Sequence, residues 1–407
     1  MNNVEYVNVK KRKTISKRNR KKILYLFFLM GLTSGLLITS TYAWFIGLST
    51  ATVNTFELNV TSGDQLELSL DANTWSDTLT ITEAGIVTAG YEGNKNHASG
   101  TNGLVPVSTA GELNKTVGRL KLFSKSSLTG TAGGYRLLSD AISNEVEEQD
   151  GYLVFDLFIR NGTGVDYIQE YNELDDEDIY LSKNSSVVSA PSGGSSVDDY
   201  GIANSVRVAF MQIGRIAANG SSKADVVGIT CSDDSAKKIT NLCNKGTTTS
   251  DNGQSKTWNI WEPNDGLHDS HLISHFNRLC KKRTLATGTY TSEACLTLTT
   301  NYPIDTYVVN KQITSGMNVD IYDGINGFSP LPDGYALSKS TTFTDTEKNK
   351  TGVERQSIFK LAANSITKVR VYIYIEGQDI DNYDLIANGE KIKVNFGFTR
   401  DRYDLAS

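Results

Sequence analysis

Tyr152-Leu153-Val154-Phe155-Asp156-Leu157-Phe158-Ile159-Arg160 is the stretch from which the fold can be read. Successive residues of a strand point to opposite sides, and here apolar side chains fall on both. Such a strand is predicted to be central and covered on both faces. Val206–Ile213 repeats the type, with Val206, Val208 and Phe210 on one side and Ala209, Met211 and Ile213 on the other. Farther along, Val369, Val371, Ile373 and Ile375 alternate with Arg370, Tyr372 and Tyr374, and Ile392, Val394, Phe396 and Phe398 alternate with Lys391, Lys393 and Asn395. These two runs predict half-buried antiparallel strands.

Toward the N-terminus, Phe56, Leu58 and Val60 and then Leu66, Leu68 and Leu70 alternate on either side of Ser62-Gly63-Asp64, which predicts a hairpin. Shorter strands are expected at Thr78–Thr82 and Val117–Phe123, a short helix at Leu138–Gln149, and polar surface tracts at Ser182–Ser205 and Asn244–Lys256. Many strands without regular strand–helix alternation predict a mainly β fold, an antiparallel β-sandwich of jelly-roll-like type with a small helical insertion.

Ahead of this domain, Lys10–Lys22 holds nine Lys/Arg and no acid, and no residue from Ile23 to Leu48 is charged. About 20 apolar residues span a bilayer core of roughly 30 Å as a helix. The basic cluster then stays cytoplasmic and the remainder faces outward. The same stretch fits a cleavable signal cut between Ala43 and Trp44. Anchor and signal are both compatible with it, and both require export. The predicted organisation is a basic cytoplasmic segment at 1–22, a signal or transmembrane helix at 23–48, and an extracellular β-domain at 49–407 with a cysteine-containing insertion at about 229–300.

Thr41-Tyr42-Ala43-Trp44-Phe45 followed by Ala51–Val60 and Leu66-Glu67-Leu68-Ser69-Leu70 resembles the signal junction and first strands of the TasA/camelysin group of Gram-positive matrix and surface proteins, which a SipW-type signal peptidase processes. The resemblance spans about residues 41–70. It implies an exported β-sandwich with a role in the envelope or extracellular matrix.

Charge agrees with export of a soluble domain. Residues 1–43 contain nine of the 40 bases and one of the 46 acids, so the rest carries 31 bases against 45 acids, a net −14. That balance argues against nucleic acid as a partner, because phosphate contacts need clustered Lys/Arg.

All four cysteines, Cys231, Cys243, Cys280 and Cys295, lie in one segment. An even count in an exported chain points to disulfides, with three possible connectivities. The pairing Cys231–Cys243 with Cys280–Cys295 closes the shortest loops, and free buried thiols are the alternative. Gly266–Cys280 between them reads as an amphipathic helix with His268, His271 and His275 in one stripe. His268 and His275 stand seven residues apart, about 10.5 Å along a helix axis, too far for one zinc ion with bonds of about 2 Å. A single ion would take His271 with His275, or His268 with His271, plus ligands from elsewhere.

The acid-rich runs Glu173–Asp178 and Glu376–Asp381 could offer oxygen ligands to calcium but lack the spacing of a known loop. No nucleophile elbow or phosphate-binding loop is present, and no residue has a catalytic signature. These features predict a structural protein of the cell surface or matrix, not an enzyme and without a cofactor. Its partners would be the membrane through residues 23–48 if uncleaved, other surface proteins, or copies of itself. Self-assembly would run through a freed N-terminal strand, Thr52–Val60, added to a neighbour's sheet edge. Alternatives are a tethered carbohydrate-binding module using Trp258 and Trp261, and a metal-dependent enzyme using His271 and His275.

Overall fold

The computed structural model describes residues 55–400 with interruptions, the longest at 191–200, 275–305, 320–336, 344–355 and 383–390. The chain divides into two units, Met1–Leu48 and Ser49–Ser407, and every described residue belongs to the second. Residues 23–48, including Ala43 and Trp44, lie outside the described residues; among those that are described, no helix is long and apolar enough to cross a membrane.

The domain is mainly β. Its two large sheets use, in chain order, β1 (Thr55–Ser62), β2 (Leu66–Ser69), β3 (Thr78–Ile81), β4 (Pro106–Ser108), β5 (Phe123–Ser124), β6 (Leu153–Asn161), β7 (Glu177–Leu181) and β8 (Ser186–Ala190). They continue with β9 (Val206–Ala217), β10 (Thr240–Asn241), β11 (Asn259–Trp261), β12 (Thr342–Phe343), β13 (Phe359–Leu361), β14 (Ser365–Glu376) and β15 (Lys391–Thr399). The six-stranded sheet runs β13-β7-β15-β1-β3, with β8 also on β15; the nine-stranded sheet runs β2-β6-β14-β9-β11-β12, with β10 on β9, β4 on β14 and β5 on β4. Described helix is confined to short pieces such as Glu83–Thr88 and Lys223–Val227, the latter closed by a Ser222/Asp225 capping box.

The strands predicted to be central are central. β6 lies between β2 and β14, and β9 between β14 and β11. One hydrophobic cluster joins the two sheets, with Leu58, Val60, Val394, Phe396 and Phe398 from one and Leu153, Phe155, Val208, Phe210, Val371 and Ile373 from the other. The rings of Phe210 and Phe396 meet edge to face at 5.2 Å. Each such fully buried side chain contributes about 1.5–3 kcal/mol.

Several expectations are corrected. β1 and β2 are not a hairpin: β1 pairs with β15 and β3, while β2 pairs with β6 in the other sheet. The chain crosses between sheets after Ser62, with Gln65 in the left-handed region at φ 61. The reason is that Leu58 and Val60 must face the same core as Leu66 and Leu68, and period-two alternation is identical whether two strands pair or oppose each other. Nor are the sheets purely antiparallel, since β1–β15, β4–β14 and β11–β12 pair in parallel.

Leu138–Gln149 is not a helix; Gly134–Ser139 is a strand, and beyond it Ala141 makes an isolated bridge to Phe123 before the chain bends through residues 145–147. Ser182–Ser205 is not all loop, because Val187 is buried within β8. β15 keeps the half-buried pattern, but β14 does not: every one of its residues is buried, including Arg370, Tyr372 and Tyr374. Its second face lies under a smaller hydrophobic cluster, in which Tyr152, Val154, Met211, Ile213 and Tyr372 are covered by Leu120, Leu122, Val226, Ile229 and Ile239.

This cover is fastened by the disulfide Cys231–Cys243, with Cα atoms 5.4 Å apart. Gly214 marks where the cover touches the sheet; a Cβ there would lie 2.8 Å from both Ile229 Cγ2 and the Thr240 carbonyl oxygen. Closing a loop of this length is worth about 3 kcal/mol in the chain-entropy account. The Cys231→Ser/Cys243→Ser variant is therefore expected to unfold in urea with about that much less stability than the oxidised parent. An equal midpoint for the two would show that the cover is held by packing alone. Cys280 and Cys295 lie outside the described residues.

Candidate functional site

On the covered face of the nine-stranded sheet, the ladder sets Asp156 of β6 directly opposite Arg370 of β14. Arg370 donates from Nε to Asp156 Oδ1 at 2.7 Å and from Nη2 to Oδ2 at 3.1 Å, the bidentate geometry of a guanidinium–carboxylate pair. Lys368, two residues away on the same face, reaches Asp156 Oδ2 at 3.4 Å and donates to the Ile229 and Val227 carbonyls at 3.1 and 3.3 Å. Tyr91 OH donates to Asp156 Oδ2 at 2.6 Å, and Arg370 Nη1 to the Gly118 carbonyl at 2.6 Å.

Asp156 is fully buried. Burial alone would raise its carboxyl; the facing Arg370 and then Lys368 outweigh burial and hold it well below the usual carboxylate range. Burial pushes the Lys368 ammonium down, against the pull of Asp156. A neighbouring set adjoins the pair. Glu148 faces Arg119 at 2.9 Å and accepts from Tyr372 OH at 2.6 Å and Tyr152 OH at 3.0 Å.

A pocket of about 230 Å³ opens here, lined by Gly93, Lys95, Ile213, Cys231, Lys368 and Arg370 among others. Among the described residues the half-buried Lys95 makes no hydrogen bond or ion pair. Burial, then repulsion from Arg119 and Arg370, push its ammonium down.

At one end of the same sheet, a second buried cluster gathers around Arg207, which is paired with Glu262 and Asp379. Thr342 donates to the other oxygen of Glu262. Glu376 is fully buried beside them; its Oε1 accepts from the Gln378 amide at 3.1 Å and its Oε2 has no hydrogen-bond partner. Burial, only partly offset by Ser108 and Arg207, raises its carboxyl to about 8.

His268 belongs to this region. It is buried, and its Nδ1 lies 2.8 Å from Asp381 Oδ2, so the acid-rich run Glu376–Asp381 turns inward. His268 is not in a helix, and His271 and His275 lie outside the described residues. Among the described residues no three His, Cys, Asp or Glu side chains stand where they could hold one metal ion. In the other acid-rich run, Asp176 pairs with Arg215, Glu177 with Arg400 and Asp178 with Lys360. Trp261 is completely buried in the core and offers no face to a sugar, while Trp258 is outside the described residues.

None of Lys95, Asp156, Lys368 and Arg370 stands out in a reading of motifs. The available signal was Asp156 itself, an acid within a strand apolar on both faces, which demands a buried cation. No protein-family model, curated protein or solved structure matches the chain.

Proposed function

We propose that this chain is an exported structural protein of the cell surface or extracellular matrix, with a jelly-roll-like β-sandwich ectodomain that assembles by passing its first strand to a neighbour. Before assembly it is tethered through residues 23–48 or released by cleavage after Ala43. The observation that carries this reading is the position of β1. Among the described residues it is the first strand after the apolar segment, yet it fills an interior place between β15 and β3, with Leu58 and Val60 wholly buried. Without β1 the sheet has a gap between β15 and β3, and the β1 of another copy has the right sequence to fill it. On the opposite face Asn395, Asn59 and Thr80 form a hydrogen-bonded row across the three strands at 3.0 Å per link, which fixes the register.

Because Asn59 and Asn395 are register neighbours, a disulfide introduced there reports whose β1 occupies the gap. The Asn59→Cys/Asn395→Cys variant, starting at Trp44 and oxidised while dilute, is expected to stay monomeric. Oxidised after incubation at high concentration, it should give a ladder of covalent multimers on a non-reducing gel and fibres under the microscope. Crosslinks confined within single chains at high concentration would rule out strand donation.

A further inference from the structure

We propose that Asn219, in the exposed bend Asn219-Gly220 that follows β9, is a modification site whose side-chain amide is lost in the folded protein to give aspartate and isoaspartate. The inference is independent of strand donation. It rests on a comparison within the chain, because two Asn-Gly pairs lie wholly among the described residues, Asn161-Gly162 and Asn219-Gly220.

Loss of the amide requires the backbone nitrogen after the asparagine to reach the side-chain carbon Cγ. That nitrogen must be free of a hydrogen bond, and the amide must be free to turn toward it. Glycine obstructs the approach least, having no Cβ. Both pairs share that advantage, so their surroundings decide.

At Asn161 the fold blocks the reaction. The residue closes β6 and is completely buried. Its amide nitrogen donates to Glu177 Oε2 and to the Ala362 carbonyl, both at 3.0 Å. Its Oδ1 accepts from the Thr163 amide at 3.0 Å and the Thr163 hydroxyl at 2.7 Å. The Gly162 amide donates to the Gln65 carbonyl at 3.1 Å. Turning the Asn161 side chain toward Gly162 would leave buried partners unpaired, which is costly.

At Asn219 neither block exists. Asn219 and Gly220 are both exposed, and among the described residues neither the Asn219 side chain nor the Gly220 amide makes a hydrogen bond. Gly220 sits at φ +84, and a Cβ there would meet nothing within 4 Å, so the space around it is open. The bend is held from its two ends instead. The Ala218 amide donates to the Asn364 carbonyl at 2.8 Å, and Ser222 caps the helix Lys223–Val227. Chemistry at Asn219 leaves both of these anchors in place.

The step balances with water alone. The Gly220 nitrogen gives its proton to solvent and bonds to Asn219 Cγ, closing an imide ring, while the bond from Cγ to the side-chain nitrogen breaks and ammonia leaves with a proton. Water then opens the ring. Opening at Cγ gives aspartate in a normal backbone; opening at the main-chain carbonyl gives isoaspartate, whose chain runs through Cβ. Either product adds a negative charge.

Peptide mapping by mass spectrometry tests this on the full chain in detergent, aged at mildly alkaline pH either folded or unfolded in urea. In urea both sites are expected to convert at similar rates, because both carry the Asn-Gly sequence. In the folded protein Asn219 should keep its urea rate within about threefold, whereas Asn161 should be slowed about tenfold or more, since it reacts only through local opening. The product at Asn219 should be a pair of isomeric peptides, separable by chromatography and absent from the Asn219→Gln variant. An Asn219 that stays intact in the folded chain while converting in urea, an Asn161 that converts as fast as Asn219 in the folded chain, or an isomeric pair that persists in Asn219→Gln would each overturn the proposal.

Discussion

Asp156→Asn is expected to lose about 3–5 kcal/mol of folding stability, because removing one partner from a buried ion pair leaves the other charge uncompensated. The change is nearly isosteric, so packing in β6 is preserved and the loss is electrostatic. Arg370 bears most of it. A guanidinium cannot shed its proton in a protein, so it stays charged and buried with one carboxylate fewer. Lys368 is already biased by burial toward its neutral form and can lose its proton instead.

The pair also sets a direction in acid. Since Asp156 is held below its unfolded value, its contribution is fully present above the unfolded pKa of about 3.9 and is lost as pH falls through the lower folded value. Urea unfolding at neutral pH measures the loss. The Asp156→Asn/Arg370→Met double variant should recover part of it, because the guanidinium left without its carboxylate is removed as well. A loss below about 1 kcal/mol in the single variant would mean that the guanidinium is solvated rather than buried.

Glu376→Gln should have an effect of similar size and opposite sign, visible only with pH. In the unfolded chain this carboxyl ionises near its ordinary value of 4.5, whereas in the fold it keeps its proton to about 8. Between those values the folded state binds the extra proton, so stability falls as pH rises. The contribution is complete below about 4.5 and gone above about 8, a span worth roughly 4–5 kcal/mol at 1.36 kcal/mol per pH unit. Glutamine cannot ionise, which removes this dependence. The variant should match the parent near pH 4.5 and exceed it at pH 8.5. Denaturation midpoints that run parallel for the two proteins across that range would show that Glu376 titrates normally.

Much of the fold was legible because burial leaves a period. The runs Leu153–Ile159, Val206–Ile213 and Ile392–Phe398 each became strands in the expected place. What alternation cannot convey is which strand lies beside which, hence the arch at Ser62 read as a hairpin. Nor does it show whether a polar face meets water or another layer. Arg370, Tyr372 and Tyr374 look like a solvated face until residues as much as 252 positions away are laid over them, as Leu120 is over Tyr372, its amide donating to the hydroxyl at 3.4 Å. The buried polar clusters were hidden for the same reason. Asp156 and Arg370, or His268 and Asp381, are distant in sequence and meet only through strand register and chain return.

The parallel pairing of β1 with β15 has a mechanical consequence. The N-terminal end of β1 and the C-terminal end of β15 lie at opposite ends of one ladder that runs from Thr55↔Lys391 to Ser62↔Phe398. A pull applied between those two ends acts along the strands and loads all eight paired positions in shear, whereas an antiparallel pair gripped at one end would peel open one pair at a time. The strand proposed above to be exchanged is thus also one that resists being drawn out under tension.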